Sequence, residues 1–119
     1  SKLNLNTLLT KVKTKLDPQI ITDFQKYFGE IKTLAQINHL LLKYMYTDNW
    51  EREVQENYVP LSFDKYQTIF NLLGMTIQFT QSYKIPYLRE KWTTDFDLTE
   101  TEITPLKTTG IIIAQKAIV

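Results

Sequence analysis

The chain has 119 residues, with no cysteine, one histidine (His39), three glycines, six Phe, seven Tyr and two Trp, and a formal net charge of +1. That inventory leaves out the Cys/His sets of most metal sites and nucleophilic triads, and the clustered glycines of phosphate cradles. A charge this close to zero sets up no global field toward nucleic acid or an anionic membrane.

With 43% hydrophobic and 23% charged residues, a single core can close at this length without disulfides or metals. No cofactor and no metal is expected. The densest apolar runs, Leu40-Leu41-Leu42 and Ile111-Ile112-Ile113, fall far short of a membrane span, and no signal peptide is visible. The lack of Cys leaves the compartment open, a cytoplasmic one being favoured. Ser1 in place of Met and the apolar end Ala117-Ile118-Val119 read as the cut ends of one helical domain, residues 1–119, taken from a longer chain.

In the first segment Leu5, Leu8, Leu9, Val12 and Leu16 share one helical arc, with Lys11, Lys13 and Lys15 off it. Asp17-Pro18 reads as an N-cap followed by Pro at the first helical position. Ile20, Ile21, Phe24 and Phe28 form the next stripe, and Gly29 stops it. Thr33-Leu34-Ala35-Gln36 is a capping box, opening a helix over 34–46 with Leu34, Ile37, Leu40, Leu41, Tyr44 and Met45 on one face. His39 falls on the opposite, polar side and reads as solvent-exposed, neither a ligand nor a base. Asp48-Asn49-Trp50-Glu51 resembles a looser box, starting a helix over 49–58 that Pro60 ends. Asp48, Glu51, Glu53 and Glu56 form a solvated acidic face and not a calcium loop.

Ser62 caps the strongest pattern, a helix over 63–77 with Phe63, Tyr66, Ile69, Phe70, Leu73 and Ile77 on one arc. Leu72 and Met75 lie off the arc, which predicts a central helix contacted on more than one side. Beyond Gln78 the period changes to 2 and predicts a hairpin of 81–87 with 92–98, with Pro86 on an edge and Asp95 and Asp97 on its wet face. The tail over 105–119 reads as a helix opened by Thr104-Pro105, against the β-branched density of its three isoleucines.

The fold expected is therefore mainly α: about five helices and a C-terminal β-hairpin, an order of parts that resembles a winged helix-turn-helix. The function expected is non-enzymatic: a protein–protein interaction or regulatory domain within a larger protein or assembly. Its partner would be another protein or a copy of itself, and not a membrane. Leu42, Tyr46, Ile112 and Val119, apolar and off the main stripes, are the candidate interface. The alternative is DNA binding, with Gln67 and Asn71 reading base edges and Arg89 and Lys91 at a wing tip on phosphate. Against it stand the acidic second helix and the scarcity of cations on the third.

Overall fold

The computed structural model describes residues 2–57, 63–83 and 85–116. The chain is mainly helical, with seven α-helices among the described residues, and ends in a two-stranded antiparallel pair. Helix α1 (Leu5–Lys15) starts at Asn4, whose side chain accepts from the Thr7 amide, and buries Leu8 and Val12. Helix α2 (Pro18–Phe28) has the expected Asp17 cap and Pro18 in its first turn. It ends at Gly29, whose φ of 80° suits a residue without Cβ. Helix α3 (Leu34–Lys43) opens with the complete Thr33/Gln36 box. Thr33→Ala removes the hydroxyl acceptor of the Gln36 amide and is expected to cost about 1 kcal/mol in a urea titration.

Helix α3 stops three residues sooner than its apolar pattern predicts. The helix expected over 49–58 is a 3₁₀ turn (Thr47–Asn49) followed by the single-turn α4 (Trp50–Glu53), with no side-chain cap at either start. Pro60 and Ser62 lie outside the described residues.

The larger departures come next. Helix α5 (Phe63–Leu72) ends early because Gly74, at φ 77°, turns the chain into strand β1 (Met75–Tyr83). The predicted hairpin arm over 92–98 does not exist: its residues lie largely in helix α6 (Pro86–Phe96). Leu88, Trp92 and Phe96 recur every four residues, and all three are buried. Pro86 is not on a strand edge but in the first helical turn, where its fixed φ is pre-organised. Thr99 and Glu102 make a second capping box that opens α7 (Glu100–Ile103). The tail is a strand, β2 (Thr109–Lys116), and not a helix. It pairs with β1 from Met75 opposite Lys116 to Tyr83 opposite Thr109, with an irregularity between Ile77 and Phe79. Strand pairing satisfies the β-branched run better than a helix would.

The core is built from two stretches of the described chain, on either side of α5 and β1. Its buried apolar side chains run from Leu8 to Val54 and from Leu88 to Leu106, with Phe24, Trp92 and Phe96 the largest. None of the described side chains of α5, β1 or β2 is buried. Helix α5 lies against β1, and β1 against β2, as an appendage. The dimensions agree: the extents are 55 × 35 × 24 Å and the radius of gyration is 16.5 Å, against about 13.5 Å for a compact domain of this length.

Candidate functional site

Helix α5 and the ribbon carry half of the exposed large apolar side chains among the described residues. Leu72 is 82% exposed and Leu73 66%, Ile113 on β2 is 54% exposed, and Ile69 is also exposed. The expectation of a central α5 is thus overturned: its off-arc Leu72 faces solvent. The amphipathic pattern was real, but Tyr66 and Phe70 are only half-buried and Ile69 is left outside. Of the charged residues described in this appendage, only Asp64, Lys65 and Lys116 interrupt it.

The predicted interface residues do not converge. Leu42 is half-buried against the core, so it contributes to packing more than to a surface. Tyr46 is exposed (51%) and lines a shallow depression of about 340 Å³ with Met45, Thr47, Asp48, Asn49 and Glu53. Ile112, half-buried on β2, joins the α5–ribbon appendage opposite Thr80. Val119 lies outside the described residues.

The nucleic-acid candidates separate as well. Gln67 and Asn71 are exposed one turn apart on α5. Arg89 and Lys91 are on α6, with Arg89 paired to Glu100 and Lys91 to Asp95 at 3.2 Å. There is no wing tip for them to occupy, because 92–96 is helical. Asp95 and Asp97 are likewise not a strand face. Asp95 accepts the Tyr44 hydroxyl at 2.7 Å, and Asp97 caps α6 in the left-handed region at φ 53°. Burial first, then the hydrogen bond and charge of Asp95, push the Tyr44 hydroxyl well above the usual phenol range.

His39 corrects a second expectation: it is 6% exposed, not a solvated spectator. Its ring packs edge-on against Phe24 and Phe28, at 5.0 and 4.5 Å between centroids. Beside it Lys43 is fully buried, with Nζ donating to the carbonyls of Val54 (3.3 Å) and Glu56 and lying 4.7 Å from the Phe28 ring centre. Periodicity had no way to flag Lys43. It is a polar residue on the last turn of α3, and it is covered by Phe24 and Phe28 of α2 and by the chain returning past Val54.

Burial lowers the Lys43 pKa to about 8, the carboxylates of Glu53 and Glu56 opposing that shift in part. Between about 8 and the ordinary 10.5 the unfolded chain therefore binds more protons than the folded one, so stability rises with pH across that window. Urea midpoints measured over the lower part of this range, before the raised Tyr44 phenol acts with the opposite sign near its ordinary 10, should increase, and the increase should be smaller in Lys43→Met.

A third polar cluster joins α1 to α7. Lys11 Nζ donates to the Asp97 carbonyl at 2.8 Å and to Glu102 Oε1 at 2.7 Å, and the Thr99 amide donates to the same carboxylate oxygen at 2.9 Å. Glu102 Oε2 is buried with no hydrogen-bond partner. Burial alone would raise the Glu102 pKa, but the hydrogen bonds from Lys11 and Thr99 and the Lys11 charge leave it below 4.5.

Among the described residues no group of three His, Asp or Glu side chains is placed to hold a metal ion, and no helix is long and apolar enough to cross a membrane. Comparison with known protein families, curated proteins and solved structures finds no match for this chain.

Proposed function

We propose that this chain is a non-enzymatic protein–protein interaction domain, with α5 and the β1–β2 ribbon as its contact face, acting within a larger assembly. The observation that carries this reading is the exposure of Ile69, Leu72, Leu73 and Ile113 on elements none of whose described side chains is buried. A two-stranded sheet is marginal by itself, and an apolar strand edge invites pairing with another chain. The occupant argued for is a second copy of the chain. The appendage carries Asp64 and Lys65 side by side and Lys116 at its far end, so two copies meet without a block of like charge, while a strongly acidic or basic partner finds nothing to complement.

Adding unlabelled protein to a ¹⁵N-labelled sample tests this. Broadening should begin at the amides of α5 and β2; broadening centred on α1 or α2 would move the contact elsewhere, and none at all would count against self-association.

DNA binding has less support. It keeps Gln67 and Asn71, but its two phosphate contacts are engaged by Glu100 and Asp95. A gel-shift titration across salt concentrations should show no binding at low salt. Binding with a steep salt slope would favour the nucleic-acid reading instead.

A further inference from the structure

His39 and Lys43 lie one turn apart on α3 and converge on a single atom. His39 Nε2 sits 3.2 Å from the Glu56 carbonyl oxygen, and Lys43 Nζ donates to that same oxygen and to Val54. From α2 the site is walled by Phe24 and Phe28. Among the described residues, Lys43 acts by its charge on His39, and Glu53 and Glu56 on Lys43. The segment 54–57 held in this way is where the chain leaves the helical core on its way to α5.

We propose that His39 and Lys43 form an acid-released clasp, which ties residues 54–57 to α3 while His39 is neutral and lets them go when it is protonated. With its hydrogen on Nε2, the neutral ring donates to the Glu56 carbonyl and adds no charge beside Lys43. A second proton makes the ring a cation next to a buried ammonium, between two phenyl rings and away from water that would screen the pair. The aromatic wall offers partial relief, but Lys43 Nζ already lies within 5.8 Å of the Phe24 ring centre and 4.7 Å of that of Phe28. Glu53 and Glu56 stabilise the charge on Lys43, so the group that yields is the histidine. Burial and then the Lys43 charge hold the His39 pKa below its ordinary 6.5, the Glu56 hydrogen bond opposing in part. Opening the clasp exposes both cations to water and removes the penalty. Of the residues released, only Val54 belongs to the buried core, while Trp92 and Phe96 are held on α6. The device stands whether or not α5 and the ribbon bind a partner, although release would loosen one of the attachments of that appendage.

A ¹⁵N NMR titration of the whole chain from about pH 7.5 to about pH 4.5 tests the clasp. The amides of Val54, Gln55, Glu56 and Asn57 should move together, with a midpoint below 6.5, while those flanking Trp92 stay in place. His39→Gln keeps a neutral donor on a side chain of similar reach, and in this variant the transition should vanish. A midpoint at or above 6.5, the same transition in His39→Gln, no transition, or loss of the Trp92 signals at the same pH would each overturn the proposal.

Discussion

Trp92→Ala is expected to cost about 3–5 kcal/mol, enough to leave a domain of ordinary stability largely unfolded under mild denaturing conditions. Trp92 is fully buried on α6 and is the largest such side chain in the core. Its indole Nε1 donates to the Leu41 carbonyl at 2.9 Å. That carbonyl belongs to the last turn of α3, where helix geometry leaves oxygens without an intrahelical partner. Truncation therefore opens a cavity and strands an acceptor in one step. Trp92→Phe separates the two contributions: it keeps most of the packing and loses the hydrogen bond, for an expected cost of about 1–2 kcal/mol. Urea unfolding of the two variants measures both. A loss below about 1 kcal/mol for Trp92→Ala would mean that α6 does not close the core.

Lys11→Met is expected to cost about 2 kcal/mol at neutral pH, because it leaves the Glu102 carboxylate buried without its cation. The Glu102 side chain is 7% exposed and that of Lys11 26%, so water reaches the ammonium end and tempers the loss. The pH dependence identifies the mechanism. The folded pKa of Glu102 is depressed below 4.5, so its contribution is full above the unfolded value and fades as pH falls through the folded one. The gap between the native chain and Lys11→Met should therefore narrow in acid. Lys11→Met/Glu102→Gln should recover stability at neutral pH, because no unpaired charge is then buried. A double variant as unstable as Lys11→Met would point to lost aliphatic packing instead.

The helical half of the fold was legible because several independent signals agreed there. Asp17-Pro18, Gly29 and the Thr33/Gln36 box each mark a boundary chemically, and the stripes they bound supply Phe24, Ile37, Leu40, Leu41 and Tyr44 to the core, with Ile20, Ile21, Phe28, Leu34 and Met45 partly buried against it. The second half was misread where one spacing serves two periods. Trp92 and Phe96 fit an alternating strand as well as a helix, and only Leu88 and Pro86 break the tie toward the helix. In the tail, a Thr-Pro start signal competed with β-branched density, and pairing with a distant strand decided it, which no local window contains.

The interface was hardest to read. Leu72 is an ordinary apolar residue in sequence, and its exposure arises because α5 leaves the core. His39 was misplaced for the converse reason: its own helix face is polar, but the chain returning through Val54 and Glu56 closes over it.

We propose that the core closes without α5 and the ribbon, leaving their apolar face for a second copy of the chain. Light scattering on a dilution series of the native chain beside Leu72→Asp/Leu73→Asp tests it most directly. The native chain should show a mass rising above the 14.1 kDa of one copy as concentration increases. The double variant should stay at one copy with its urea midpoint unchanged to within about 0.5 kcal/mol. A native chain that remains at 14.1 kDa throughout, or a double variant that associates equally well, would contradict the account.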